Sequence, residues 1–305
     1  MSGDLAGEYR ALREEVGAVP VPRDVLIASG PQAVEYLQGQ LSQDVAALEE
    51  GASALSLLLQ PQGKVDAFLR VTRTGDDTMV LDVDGGWGEA VLARLARFRL
   101  RMKVDLEPLV GWRCLALRGP RASSVAAGEA APLVVPCFWP GAPGVDLLGP
   151  AVEPPGGVPL CSPDALAAVR VEAGFPAMGS ELGERTIPAE AGVVGLAVSF
   201  TKGCYTGQEL VARIDARGSR VPRRLRGIVM ADRSQGELPP TGAELVDGER
   251  VLGSLTTVAF SPGLGAGVAL AYVRREVEPP AGLAVRWEGC PGPVPAEVRA
   301  LPLVG

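Results

Sequence analysis

The sequence predicts an α+β fold that closes with a separate antiparallel β-barrel over its last ~80 residues. Apolar runs paired across proline- and glycine-bearing turns alternate with amphipathic stretches that carry capping signals. After Pro222 the character changes to short apolar runs broken by turns, and Asp247-Gly248 is a strong two-residue hairpin signal.

Ala18 to Ala28 reads as extended, because Pro20 and Pro22 oppose helix. Ser29-Gly30-Pro31-Gln32 carries an S-x-x-Q capping pattern, and Ala33, Val34, Leu37 and Leu41 follow at helical spacing. The runs 52–59 and 65–72 flank Gln60-Pro61-Gln62-Gly63-Lys64 and predict a hairpin. Thr78 to Val83 is a strand, and Trp87 to Leu100 a helix with Val91, Leu92, Leu95 and Phe98 inward. Trp112 to Leu117 returns as strand. The proline-rich stretch 130–163 fits a loop or short irregular strands. Ser162-Pro163-Asp164 opens a helix through Arg170 and Glu172 that stops at Gly174, and those two side chains cannot share a face. The barrel strands are expected over 226–230, 243–246, 250–259 and 267–273.

Composition removes whole classes of chemistry. The chain of 305 residues has no histidine, which excludes imidazole metal sites and Ser-His or Cys-His nucleophile pairs. Carboxylates, a thiol or a bound cofactor must carry any reaction. Five scattered cysteines without a C-x-x-C pair argue against a disulfide framework or a zinc site. The net charge of -7 argues against a nucleic-acid partner. With no long apolar span and no signal-peptide pattern, no membrane partner is expected and the compartment expected is the cytoplasm. The arginine run from Arg213 to Arg226 could meet a polyanionic tail or form a solvated face.

Lys202-Gly203-Cys204-Tyr205-Thr206-Gly207-Gln208-Glu209 places a thiol beside a helix start. Thr206 and Glu209 have the spacing of a capping box, so a helix is predicted to begin at Thr206. Cys204 would then lie near the positive end of that helix with Lys202 close by, an arrangement that activates thiols. A buried, inert cysteine is the other reading of the same residues.

This octapeptide resembles the K-G-C-Y-x-G-Q-E signature of the YgfZ-type folate-binding proteins of iron–sulfur cluster maintenance, a branch of the glycine cleavage T-protein superfamily. Agreement extends through Leu210-Val211-Ala212-Arg213 and Arg217-Gly218. Upstream, 38–45, 61–65, 170–176 and 187–191 are similar to family passages, as is 267–273 near the end. The resemblance implies a T-protein-like fold of several parts around a folate opening. A folate-binding α+β region over 1–221, with 46–150 inserted as a subdomain, would precede a barrel domain over 222–305.

The same resemblance implies the composition of the site. Tetrahydrofolate or a one-carbon derivative is the implied cofactor, and iron–sulfur client or assembly proteins are the implied partners. Cys204 is the implied working thiol and Glu172 the pterin-facing carboxylate. Lys202, Tyr205, Gln208, Glu209, Arg213 and Arg224 complete the implied cofactor-binding set, with Trp87, Tyr205 and Phe200 as walls and no bound metal. The family's transferases carry two adjacent aspartates after the hairpin turn. Here Gly63-Lys64-Val65-Asp66-Ala67 keeps Asp66 alone, so Asp66 is the one carboxylate left for folate-dependent transfer. The first functional expectation is therefore a folate-dependent accessory protein for iron–sulfur assembly or repair. An aminomethyltransferase or demethylase of the T-protein type is the alternative, and a purely structural folate module is a third reading.

Overall fold

The computed structural model describes residues 4–128, 131, 133–231 and 238–304. In chain order the elements are α1 (Leu5–Glu14), β1 (Gly17–Val21), β2 (Arg23–Ser29), α2 (Ala33–Gln40), β3 (Ser53–Leu59), β4 (Val65–Gly75), β5 (Thr78–Asp84) and α3 (Gly88–Phe98). Next come β6 (Asp105–Pro108), β7 (Arg113–Arg118), α4 (Ala122–Ala126), β8 (Leu133–Pro136), β9 (Gly144–Gly149) and α5 (Pro163–Ala173). The last elements are α6 (Pro188–Ala191), α7 (Val194–Ala197), α8 (Gln208–Ala216), β10 (Arg223–Met230), β11 (Glu244–Asp247), β12 (Arg250–Ser261), β13 (Ala266–Arg274), β14 (Ala281–Arg286) and β15 (Val294–Arg299).

Two open antiparallel sheets face each other. The first has the order β3-β4-β5-β2-β6 and the second β1-β7-β9-β8. Val21 ends β1 and Arg23 begins β2, so the chain changes sheet across the single residue Pro22, which cannot donate to either ladder. Side chains alternate along each strand. One face of the first sheet presents Leu26, Val71 and Leu81, which cluster with Leu37 of α2 and Val91 and Leu95 of α3. Its other face presents Arg23, Val25, Arg70, Val80 and Asp82 at paired positions. Val25 and Val80 pack there on Cys114, Val135 and Leu148 of the second sheet. The far side of the second sheet buries Leu115, Leu117, Val145 and Leu147 beneath α4. Six strands, in the order β10-β13-β12-β11-β14-β15, close into the predicted C-terminal barrel. Ile228, Leu245, Leu255, Ala271, Val273 and Val285 are among its buried core.

Helix α5 is built as its residues predict: Ser162 caps it, Pro163 opens it and Gly174 closes it at φ 70°. It lies against α1 and β12. Glu172, fully buried in α5, accepts from Tyr9 of α1 at 2.9 Å and from Ser261 of β12, which ties three elements to one carboxylate.

Several expectations require correction. The predicted capping box at Thr206 does not form. Helix α8 begins at Gln208, its N-cap is Gly207 at φ 81°, and no side chain caps it. A Cβ on Gly207 would lie 2.5 Å from the carbonyl oxygen of Gln60, so contact with the β3–β4 turn sets this backbone and delays the helix. The signal at Ser29 also fails, because α2 starts at Ala33 and Gln32 instead accepts from the amide of Lys103 at 2.9 Å. Phe98 is exposed, under the guanidinium of Arg94 at 4.0 Å, where an inward side chain was expected. The proline-rich stretch, read as a loop or short irregular strands, agrees with the second of these and holds the short paired strands β8 and β9.

Candidate functional site in the inter-sheet cavity

Between the two sheets lies a cavity of about 410 Å³, closed on a third side by α5 and by residues 175–178. Its apolar walls include Val19, Leu55, Leu166, Trp139 and Phe175, and its polar lining is Arg23, Arg70, Arg118, Arg170, Asp84 and Asp146. Trp139 and Phe175 stand 5.9 Å apart and Phe175 leans on Phe68 at 5.5 Å, giving one end a wall of aromatic rings.

The charged side chains form one alternating chain. Asp84 pairs with Arg23, Arg23 with Asp82 at 2.6 Å, and Asp82 with Arg70 at 2.9 Å. Arg70 meets Asp146 at 2.8 Å, and Asp146 meets Arg118 at 2.7 Å. Strand alternation produces this chain: Arg23, Asp82 and Arg70 are neighbours across β2, β5 and β4, while Arg118 and Asp146 come from β7 and β9 opposite. Burial alone would raise the Asp146 carboxyl, but Arg118 and Arg70 outweigh it and hold it down at about 2. Burial pushes the thiols of Cys114 and Cys137 up, which makes them poor nucleophiles.

Arg118 is 3% exposed and ends the chain. Through Nη1 it donates to the carbonyls of Leu117 and Val145 and to Asp146, and its guanidinium lies over Trp139 at 4.6 Å. Its Nε is buried without an acceptor among the described residues. A buried orphan donor costs about 1–3 kcal/mol. Arg170 is held differently: it donates to Glu181 at 3.0 Å, Phe175 O at 2.9 Å and Thr257 at 2.9 Å.

None of the candidate catalytic and cofactor-binding residues named from the sequence lines this cavity. Cys204 is exposed, between Lys202 and α8. Lys202 is a structural cation: Nζ donates to the carbonyls of Gln38 at 2.6 Å, Leu41 at 2.6 Å and Gln43 at 2.9 Å, above the Tyr205 ring. Burial lowers its ammonium to about 8, with Asp44 opposing. Tyr205 is core, and its amide is accepted by Gln208 Oε1 at 3.1 Å. Glu209 and Arg213 are exposed on α8. Arg224 donates to Ser219 O at 2.7 Å. Asp66, at the irregularity where Leu59 shifts register, pairs with Arg94 of α3 at 3.2 Å. Glu172 is committed to Tyr9 and Ser261, with Arg13 at 3.8 Å. Of the expected walls, Phe200 is exposed and Trp87 lies near Gly179. The cavity takes Trp139 and Phe175 in their place. Arg170, Phe175 and Pro176 bring the resembling passage 170–176 to it. The remaining polar lining comes from strands distant in sequence, where a charge at a buried strand position was the available signal.

Two facing sheets enclosing a polar cavity, followed by a closed barrel, define a protein of the T-protein fold. The chain matches the GCVT N-terminal domain over residues 1–131 and the glycine cleavage T-protein C-terminal barrel domain over residues 223–304. It belongs to the glycine cleavage T-protein superfamily. It is 29% identical to an aminomethyltransferase of Thermus thermophilus, across 98% of this chain and 90% of the relative. Against an aminomethyltransferase of Rubrobacter xylanophilus the identity is 28%, across 98% and 86% of the two chains. The crystal structure of the glycine cleavage system aminomethyltransferase T from Bartonella henselae shares the fold, with a TM-score of 0.82 and 22% identity over 98% of this chain and 89% of that one. These names side with aminomethyl transfer, the alternative drawn from the sequence, rather than with iron–sulfur maintenance. Among the described residues no helix is long and apolar enough to cross a membrane, and no cluster of candidate metal ligands occurs.

Proposed function

We infer that this chain binds a reduced folate in the inter-sheet cavity and acts in folate-dependent one-carbon transfer of the aminomethyltransferase type. The cavity carries this reading. Its volume suits a folate-sized ligand, its Trp139–Phe175 end suits a flat heteroaromatic ring, and its polar side chains offer donors and acceptors to the ring edges and the carboxylates. The orphaned Nε of Arg118 fits such a group, because it lacks an acceptor. Bound tetrahydrofolate would supply the amine that takes up a one-carbon unit. The protein's side chains would hold it flat, orient it and exclude water. The deciding experiment is a calorimetric titration with 5-formyltetrahydrofolate, in which saturable binding at one site is expected, weakened at least tenfold by Trp139→Ala. Absence of binding at millimolar ligand would reject the reading.

A second reading keeps the folate but replaces transfer by accessory work on iron–sulfur clusters, with Cys204 as the thiol. Two observations favour it: Cys204 is open to a partner, and Asp66, the carboxylate expected to support transfer, is paired with Arg94 away from the cavity. A single thiolate would need others to share a cluster. Formation of methylenetetrahydrofolate from an aminomethylated carrier, retained in Cys204→Ser, would favour transfer. Loss of a cluster-dependent client's activity in Cys204→Ser, without turnover by the wild type, would favour accessory work.

A further inference from the structure

We propose that the free edge of Arg118, resting on Trp139, is a carboxylate subsite of the cavity, resting on the folate reading for the cavity's occupant. Three features converge on it. Every hydrogen bond of Arg118 among the described residues runs through Nη1, so the side formed by Nε and Nη2 has no acceptor. That side is the one a carboxylate engages through two parallel N–H···O bonds. The guanidinium cannot swing to find another partner, because Trp139 lies against its face and Asp146 and two carbonyls pin Nη1. Arg118 is also the cationic end of an alternating series. Moving from Asp84 through Arg23, Asp82, Arg70 and Asp146, each interior member is flanked by opposite charges, and Arg118 has an opposite charge on one side alone. Asp84 is the anionic end and accepts from the Met178 amide at 2.9 Å. The cavity is therefore polarised, and a ligand bearing a carboxylate at one end and N–H donors at the other is the chemistry it selects.

Two carboxylates could fill the subsite: the glutamate of the folate, or the carboxyl of a small amino acid that donates the one-carbon unit. The test compares 5-formyltetrahydrofolate with its bis-amide, and glycine with glycinamide, by calorimetry on the wild type, Arg118→Gln and Arg118→Lys. Lysine keeps a charge beside Asp146 while removing the planar fork. If the folate tail occupies the subsite, the wild type binds the acid at least tenfold more tightly than the bis-amide, and both variants lose that preference. If the amino acid occupies it, the two folates bind alike while the wild type prefers glycine to glycinamide, a preference absent in both variants. The proposal is overturned if the wild type distinguishes neither acid from its amide, or if folded variants keep the wild-type preference. A wild type that binds no folate rejects the folate reading, and the glycine arm then decides the subsite by itself.

Discussion

Asp146 shows how one carboxylate can decide a cavity's electrostatics. It accepts from Arg70 and Arg118 while 7% exposed, so its removal leaves two buried cations short of an anion. Asp146→Asn is expected to lower stability at neutral pH by about 3–5 kcal/mol, the cost of breaking a buried pair. Because its folded value lies near 2, below the ordinary carboxylate value, its contribution is complete above that ordinary value and fades as pH falls towards 2. Urea unfolding of wild type and Asp146→Asn should therefore converge as pH falls from 7 to 2.5, and a constant gap would contradict the ionic account. The thiols make a second prediction at this scale. Cys204, exposed, should alkylate in the folded protein, whereas Cys114, buried with its thiol pushed up, should react after denaturant is added. Peptide mapping after timed iodoacetamide exposure checks the order.

At the scale of elements, the sequence was readable where local chemistry decides and misleading where a neighbour does. Ser162, Pro163 and Gly174 bound α5 as their residue types demand, and Ser162→Ala should cost about 1 kcal/mol in urea unfolding. The β3–β4 hairpin was equally legible. At Thr206 the same logic failed, because Gly207 must approach the Gln60 carbonyl and take a left-handed backbone before α8 can start. Gly207→Ala is expected to destabilise by about 1–3 kcal/mol, from its positive φ and the 2.5 Å clash together. An unchanged denaturation midpoint would show that the turn yields more easily than its contacts imply. Strands β8 and β9 were legible only as a loop or short irregular strands, because Pro136, Pro140 and Pro143 dominate the local signal while the pairing depends on β7 next to β9.

On the scale of the molecule, the α+β architecture and the barrel were legible from periodicity, while the cavity was not. The ion-pair chain along it joins positions 23, 70, 82, 84, 118 and 146, and their meeting depends on which strands neighbour one another and which sheet faces. A single sequence carries no direct record of that. The family signature instead led to Lys202–Glu209, which the structure places against the β3–β4 turn outside the cavity. The wiring of Lys202 explains how this segment is held. Its ammonium spans the distance between the turn after α2 and the stretch leading into α8, so the tether joins parts of the chain more than 150 residues apart.

The tether has a chemical consequence. Three oxygens converging on a point filled by –NH₃⁺ form a small receptor for any ion of that shape. Trimming Lys202 to alanine should empty the receptor, and millimolar ethylammonium or propylammonium should fill it again and recover part of the lost melting temperature. Tetramethylammonium, which has no N–H to offer, should recover none.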